Sequence, residues 1–401
     1  MWWPEALSDA PPPSSGILGV ARTSAPIVSI VSRTLPRYRI PFYQGLRVEL
    51  GRRDIELRLI HGQSARDEVS RSDTGSLEWA HQIRNRSLGI GSREFFWQPC
   101  ISLLRGSDLV IMEQASKLLL NYPLSVAQHL GGPRHALWGH GRNLREHASS
   151  RVGEALKRVI SRRAHWWFAY TESSAAIVRD LGYPEERISV VQNAVDGSPS
   201  IERRARTSER ELAELREALD LRGTNVAIYA GGLYAEKRVP FMLEACREIR
   251  RRIPDFEFIV VGGGPEQHRV EDAARELDWL HYVGPKFDDE KVAYFVLAKL
   301  MLIPGLVGLG VNDAFIFETP PITVDLPYHS PEIDYLVHGE NGLKLESGVD
   351  ATQYGSAVAD LMLDTARLER LRGGCRAAAQ RYTMEAMVER FATGVERALA
   401  S

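Results

Sequence analysis

Two strand–glycine–helix stretches carry the residues best placed to do chemistry. The first is Gly231-Gly232-Leu233-Tyr234-Ala235-Glu236-Lys237-Arg238, between the apolar run 226–230 (VAIYA) and a helical pattern at 239–252. Glycines let the backbone turn tightly and approach a ligand, and Lys237 and Arg238 put two cations at the end of that turn. A diphosphate suits the arrangement, through charge-assisted hydrogen bonds to ammonium and guanidinium groups. On this motif alone, a plain strand–helix turn with two solvated cations fits equally well. The second stretch, residues 299–342, reads KLMLIPGLVGLGVNDAFIFETPPITVDLPYHSPEIDYLVHGENG up to its closing glycine turn. An apolar run ends at Pro304, a glycine-rich turn spans 305–310, and a short helical segment carries Asp313. The amides of such a turn and the positive end of a helix behind Gly308, Leu309 and Gly310 favour a phosphate.

Two further turns follow strands. Val260-Val261-Gly262-Gly263-Gly264-Pro265-Glu266 lacks the spaced glycines and later ribose acid of a dinucleotide fingerprint, so it reads as structural. The turn at Gly284-Pro285 could line a base with backbone groups. Glu113 ends another apolar run, at the strand end where open sheets bind ligands. It could orient a second substrate or cap a helix.

These residues need elements to hold them. Short β-branched or apolar runs at 26–32, 55–60, 108–112, 136–138 and 167–170 predict strands, with helical stretches at 41–51, 118–130 and 150–162. A second alternating series begins at 226, with strands at 226–230, 256–261, 280–283, 299–303 and 321–324 and helices at 239–252 and 266–277. Strands alternating with helices imply an α/β fold with mostly parallel, doubly wound sheets. The charged stretch 197–222, with ERRAR and SERELAELREALD, predicts a linker and then an exposed helix. The boundaries expected are a mobile leader over 1–24, a first Rossmann-like domain over 25–197, a linker over 198–222, a second domain over 223–380 and a crossover helix over 381–401. That last helix is amphipathic and has little of its own to pack on, so it is expected to cross back to the first domain.

Composition narrows the classes. The chain has 401 residues, 44% hydrophobic and 25% charged, with net charge −2, as expected of a two-domain globular protein and not of a nucleic-acid binder. Cys100, Cys246 and Cys375 are few and far apart, giving neither a disulfide framework nor a zinc spacing. No apolar run approaches a membrane span, and no signal-peptide pattern opens the chain, so a cytoplasmic location is expected. The leader holds Trp2 and Trp3, which could dock on the body or on a partner. The basic stretch 151–168 (RVGEALKRVISRRAHWWF) could lie on the inner face of an anionic membrane, but a core-packing helix leading into a strand is the favoured reading.

Taken in order, these motifs resemble the nucleotide-sugar-dependent glycosyltransferases of family 4, which are retaining enzymes of the GT-B fold, with two facing Rossmann-like domains. The likeness covers nearly all of residues 26–395. The family's Gly-Arg-Leu and following Lys align with Gly231-Gly232-Leu233 and Lys237, so Gly232 replaces an arginine and Arg238 stands in as the second cation. The VGGGPE run, Val283-Gly284, Asn193-Ala194-Val195-Asp196, Pro331-Glu332-Ile333 and Gly339-Glu340-Asn341-Gly342 match in order and spacing. The family's paired glutamates align with Gly305 and Asp313. The chain therefore resembles a variant subgroup without the first, sugar-contacting acid. Asp313 takes the place of the acid that holds the ribose hydroxyls.

The resemblance also implies roles in the first domain. His140, in Gly139-His140-Gly141-Arg142, aligns with the active-site histidine that follows a strand into the cleft. A histidine after a strand is often structural, and its place in the ordered match favours the functional role. Arg142 is either a phosphate or acceptor contact or a solvated loop cation. Arg33, Arg37, Tyr38 and Arg39 would sit at the cleft mouth, where the acceptor enters. No metal and no cofactor are expected, because Lys237, Arg238 and the turn amides would carry the charge of the leaving diphosphate. The function implied is sugar transfer from a GDP- or UDP-sugar to a glycan, lipid-linked or small natural-product acceptor. Gly305 and Gly232 keep two other readings open: a non-catalytic nucleotide-sugar-binding protein and, more distantly, a nucleotide-sugar epimerase.

Overall fold

Every strand expected from an apolar run forms within two residues of its expected bounds in the computed structural model, which describes residues 25–63, 75–90, 93–141 and 161–401. The leader with Trp2 and Trp3, Arg142, and most of the basic stretch 151–168 lie outside the described residues.

The first half contains β1 (Ile27–Ser32), α1 (Ile40–Arg52), β2 (Glu56–His61), β3 (His81–Gln82), β4 (Arg86–Ile90), β5 (Arg93–Trp97), β6 (Leu109–Glu113), α2 (Asn121–Ala127), β7 (Arg134–Gly139), β8 (Trp166–Ala169), α3 (Glu172–Asp180) and β9 (Ile188–Val190). Seven strands pair in the order β3-β2-β1-β6-β7-β8-β9, and every pairing is parallel. Strands β4 and β5 form a separate antiparallel hairpin. The sequence reading did not foresee that hairpin, because its strands lack a continuous apolar run.

The second half begins with α4 (Ser198–Arg206) and α5 (Glu209–Ala218). The stretch expected as a linker and an exposed helix is helical from Ser198, with Pro199 in the first turn. Charge alone suggested a solvated segment. The charge is in fact spent on contacts: Arg204 reaches the carbonyl of Ile316 at 3.0 Å and Glu318 at 2.9 Å, and the Ser208 hydroxyl caps α5 through the amide of Glu211. Then follow β10 (Asn225–Ala230), α6 (Val239–Arg252), β11 (Phe256–Val261), α7 (Gln267–Glu276), β12 (Leu280–Gly284), α8 (Val292–Leu297), β13 (Leu300–Leu302), α9 (Gly310–Ile316), β14 (Pro321–Val324), β15 (Leu343–Leu345), α10 (Ala351–Leu363) and α11 (Thr365–Arg381). The sheet order is β12-β11-β10-β13-β14-β15, again parallel. All six residues of β11 are buried, as a strand covered by helices on both faces requires.

The final helix, α12 (Met384–Ala400), crosses back to the first half as expected. Met387, Phe391, Val395 and Ala398 line one buried stripe, at the spacing that shares a helix face. Phe391 stacks on Phe168 at 4.3 Å and meets Phe42 and Trp138 edge-on at 5.2 and 5.1 Å. Burying a side chain of this size contributes roughly 1.5–3 kcal/mol. The helix thereby ties the end of the chain to the sheet that carries His140.

Candidate functional site

The candidate residues cluster at the carboxyl ends of the two parallel sheets, and these rims meet. Asn193, just after β9, donates from Nδ2 to the buried Glu332 at 2.5 Å. Tyr335 donates its hydroxyl to the Asn193 carbonyl at 3.0 Å. Ser173, in the first turn of α3, donates its amide and hydroxyl to Asp334 at 2.9 and 2.6 Å. Two motifs separated in sequence, Asn193-Ala194-Val195-Asp196 and Pro331-Glu332-Ile333, are thus partners across the halves. Burial pushes the Glu332 carboxyl above its usual range, against the hydrogen bond from Asn193 and the charge of Arg39, which pull it down.

On the second half, the turns after β10 and β13 are stitched together. The amide of Leu306 donates to the Glu236 carbonyl at 2.8 Å. The buried Lys237 donates from Nζ to the Leu306 carbonyl at 2.6 Å, and Arg238 reaches the Pro304 carbonyl at 3.3 Å. Gly305 is what permits this approach, because a Cβ there would lie 2.3 Å from the Glu236 oxygen and 2.5 Å from the Lys237 carbonyl carbon. Gly231 and Gly232 precede the cations, with the Tyr229 hydroxyl donating to the Gly232 carbonyl at 2.7 Å. Arg238 is left-handed, at φ 56 and ψ 47, and its guanidinium lies over the Phe241 ring at 3.9 Å. The VGGG turn packs beneath. Gly262 has φ +149, and a Cβ there would come within 1.9 Å of the Gly231 carbonyl, which agrees with a structural role for that turn.

His329 was missed as a site residue, although its HSPE tetrapeptide stands out in the sequence. It holds the 305–310 turn from the far side. Its Nδ1 accepts the Val307 amide at 2.9 Å, so Nε2 carries the proton and donates to the Val324 carbonyl at 2.8 Å. Burial, the largest cause, and the nearby charges of Lys344 and Lys237 hold its pKa below the ordinary histidine value. A folded-state pKa below the unfolded one means the neutral ring stabilises the fold fully above about pH 6.5. That contribution is lost as pH falls through the folded value. The melting-temperature gap between wild type and His329→Asn, which cannot titrate, is therefore expected to be widest near neutral pH and to narrow in acid. A constant gap from pH 8 to pH 5 would contradict this role.

Asp313 sits in the first turn of α9, with Gly308, Leu309 and Gly310 partly buried just before it. Its carboxylate is gripped by Lys291, whose Nζ lies 2.7 and 2.8 Å from the two oxygens. Lys291 is a second residue that the sequence did not reveal. It stands in the turn between β12 and α8, beyond Gly284, which adopts φ +73 with open space around it. Asn312, buried beside Asp313, occupies a position where a short core helix usually carries an apolar side chain.

On the first half, His140 follows β7, half-buried, with its ring 4.6 Å from that of Tyr170. Glu113 ends the adjacent β6, 2.7 Å from the Ser32 hydroxyl at the end of β1. Arg37 is exposed and reaches across to Asp288 of the second half at 3.9 Å. The expected place of Arg39 at the cleft mouth is corrected, because its side chain is buried. Its guanidinium lies 4.8 Å from the Trp138 ring centre and 5.8 Å from that of Tyr170, with Met387 Sδ at 3.9 Å. The short 3-10 turn Arg37–Arg39 turns one residue in three inward, and that residue is Arg39. Aromatic faces here take the place of water around the cation. Among the described residues, no group of three or more His, Cys, Asp or Glu side chains is placed to hold a metal. No described helix is long and apolar enough to cross a membrane.

Comparison with known proteins adds to this picture. Residues 213–378 match the family model described as Glycosyl transferases group 1, so the second half carries a domain of that kind. Over 247 residues the chain is 26% identical to the alpha-D-kanosaminyltransferase of Streptomyces kanamyceticus, covering 59% of this chain and 56% of that protein. It is 29% identical over 229 residues to the 2-deoxystreptamine glucosyltransferase of the same organism, covering 55% of this chain and 54% of that protein. The chain thus spans about half the length of the curated relatives it matches. Among solved structures, Anabaena Alr3699/HepE in complex with UDP superposes with a TM-score of 0.68 at 14% identity, covering 92% of this chain and 99% of that one. The sucrose-phosphate synthase of Thermosynechococcus elongatus gives 0.66 at 14% identity, covering 94% and 99%. These likenesses establish the fold: two Rossmann-like halves in the GT-B arrangement.

Proposed function

We propose that this protein is a retaining glycosyltransferase that moves a sugar from a nucleotide-diphosphate donor, a GDP- or UDP-sugar, to a glycan, lipid-linked or small natural-product acceptor. One observation carries the reading. Within a Glycosyl transferases group 1 domain, Lys237 and Arg238 stand on the 304–306 turn, at the same sheet edge as Asp313. The small-molecule acceptor is favoured by the names of the two curated relatives, a kanosaminyltransferase and a 2-deoxystreptamine glucosyltransferase.

In this reading the diphosphate lies over the 231–238 and 305–310 turns. Lys237 and Arg238 donate to backbone carbonyls, and a phosphate oxygen is a stronger acceptor for both cations. As the bond between the anomeric carbon and the phosphate oxygen breaks, charge grows on the departing diphosphate, and these cations stabilise it. The acceptor hydroxyl forms the new bond on the face the phosphate leaves. Its proton passes to the leaving phosphate oxygen, so configuration is retained and nucleoside diphosphate departs. His140, held against Tyr170 on the opposite rim, contacts the transferred sugar. Glu113 and Arg37 lie on the acceptor side, and Gly284 lines the base. The site works with these protein cations and no resident metal or cofactor. The protein acts in the cytoplasm.

Thermal-shift screening against uridine, guanosine, adenosine and thymidine diphosphates should identify one base that raises the melting temperature, since only the folded state binds it. Incubating the matching sugar nucleotides with an acceptor panel that includes 2-deoxystreptamine should then release nucleoside diphosphate and form a glycoside of the donor's anomeric configuration. Binding without turnover on any acceptor would favour the non-catalytic reading that Gly305 raises, and a changed sugar without an acceptor would favour an epimerase. His140→Ala is expected to lower kcat by roughly 100-fold while leaving nucleoside diphosphate affinity unchanged. An equal loss in nucleotide binding, read by calorimetry, would remove His140 from the sugar side.

A further inference from the structure

The first half carries a charged and aromatic surface that the reading above leaves without a role. The segment leading into β4 is fixed to the carboxyl ends of β1 and β2. Asn85 donates from Nδ2 to the Arg33 carbonyl at 2.8 Å, and its amide donates to Gln63 Oε1 at 2.8 Å. The Ile83 amide donates to the His61 carbonyl, also at 2.8 Å. Arg84 and Arg86 flank this anchor, and both are exposed. Neither makes a side-chain hydrogen bond or ion pair among the described residues, unlike the exposed Arg52, Arg206 and Arg210, which each pair with a glutamate. With Ile83, Asn85, Ser87 and Pro99 they line a groove of about 620 Å³, within the roughly 300–1,000 Å³ of small-ligand sites. No carboxylate is among these lining residues.

The hairpin adds a second feature. Residues directly opposite in an antiparallel pair share a face. Arg86 stands opposite Trp97, and Leu88 opposite Phe95. The alternate face turns Phe96 into the core. The outward face therefore sets a guanidinium beside two half-buried aromatic rings. Aromatic rings pack on the apolar faces of sugar rings, and a guanidinium forks onto a carboxylate or phosphate. Arg33 and Lys117 stand over the Phe96 ring at 5.2 and 5.7 Å, so the ground behind this face is positive as well. Of the carboxylates on these segments, Glu94 stands on the alternate face and Glu113 is held by Ser32.

We propose that the β4–β5 hairpin and the groove at its base bind the acceptor, and that this acceptor is an acidic oligosaccharide whose carboxylate or phosphate rests on Arg84 and Arg86. This rests on the glycosyltransferase reading above. It selects the glycan among the acceptor classes named there, against the small molecule that the relatives' names favour. His140 follows β7, three places from β2 in the order β2-β1-β6-β7, which at about 4.8 Å per strand puts the groove roughly 14 Å from it. An acceptor that reaches both ends has more than one ring. A single-ring cation such as 2-deoxystreptamine has the wrong charge for this surface and is too short to span it.

The test is calorimetry with a size-matched charge series: trigalacturonate and maltotriose 1-phosphate as anions, maltotriose as the neutral form and the glucosamine trimer as the cation. The nucleoside diphosphate that gives the largest thermal shift is present at saturation, so that no probe anion enters the diphosphate site. Wild type should bind at least one of the two anions roughly tenfold or more tighter than maltotriose, as charge-assisted contacts imply, and the gap should narrow as salt rises. The two anions tell carboxylate from phosphate. Arg84→Gln/Arg86→Gln should erase the gap without moving the melting temperature or nucleoside diphosphate affinity. Arg105→Gln, at an exposed arginine just before β6, should keep it. A double variant that keeps the gap overturns the proposal. So does a wild type that binds maltotriose or the glucosamine trimer as tightly as the anions, or that binds none of the four. Sedimentation with anionic phospholipid vesicles that is lost in the double variant, without any glycan preference, would make the face a membrane contact and also overturns it. If wild type binds no nucleoside diphosphate, the functional reading fails. The anion preference and its loss in the double variant are then measured without nucleotide, so the two failures are told apart.

Discussion

Replacing Gly305 with glutamate, the residue that the family resemblance aligns there, is expected to lower the melting temperature and abolish nucleoside diphosphate binding, not to improve turnover. The reason is spatial. Even a Cβ at 305 would lie 2.3 Å from the Glu236 carbonyl oxygen and within 2.6 Å of the Lys237 backbone. Those atoms belong to the turn that presents Lys237 and Arg238, and Leu306 is hydrogen-bonded to it. Backbone cannot yield as a flexible side chain can, so the two turns would have to part. Overpacking of this kind costs roughly 1–3 kcal/mol or more, a fall of several degrees for a domain of this size. Gly305→Ala should already show most of the loss in a thermal melt. Gly308→Ala is the contrast, since its Cβ would meet only the Ser330 and Leu306 side chains, at ordinary contacts of 3.5 to 4.0 Å, and its melting temperature should stay near wild type. A Gly305→Glu protein with unchanged melting temperature and faster donor turnover would show that the position is merely a lost acid. On the present geometry it is a glycine that the neighbouring turn requires.

The same contrast marks what could be read from sequence. Buried parallel strands are continuous apolar runs, so β1, β10 and β11 announce themselves. The cations after β10 and the acid in α9 were legible because each follows a strand or glycine turn directly. What stayed hidden depends on residues far apart in the chain. The grip of Lys291 on Asp313 has no local signal, since it is set by how the β12 turn packs against α9. His329 gains its role only from the Val307 amide that the folded turn brings to it. Arg39 looked like a surface cation because its neighbours Arg37 and Tyr38 are exposed. Its burial depends on Trp138, Tyr170 and the returning Met387, contributed by three distant segments. The charged stretch after Gly197 read as a linker because its pairing partners, Ile316 and Glu318, lie in the second half.

Lys237 and Arg238 should separate cleanly when each is changed. Lys237→Met keeps the length of the side chain but removes a buried cation that donates to the Leu306 carbonyl. The lost carbonyl contact costs about 1 kcal/mol. The melting temperature should therefore change by only a few degrees. Nucleoside diphosphate affinity should fall roughly 10- to 100-fold, the worth of a charge-assisted contact to phosphate in a screened site. Arg238→Gly tests the other cation in the opposite sense. At φ 56 and ψ 47 an arginine is strained where glycine is not, so this change should stabilise the fold by about 1 kcal/mol. It should nonetheless weaken the diphosphate, because the cation is gone. A side chain kept in a strained conformation when glycine would be more stable points to use of its charge. If calorimetry finds diphosphate affinity unchanged in both variants, these cations are scaffolding and the anion site lies elsewhere. If only Lys237→Met loses affinity, the strain at Arg238 serves its contacts with the Pro304 carbonyl and the Phe241 ring, and Lys237 alone carries the diphosphate charge.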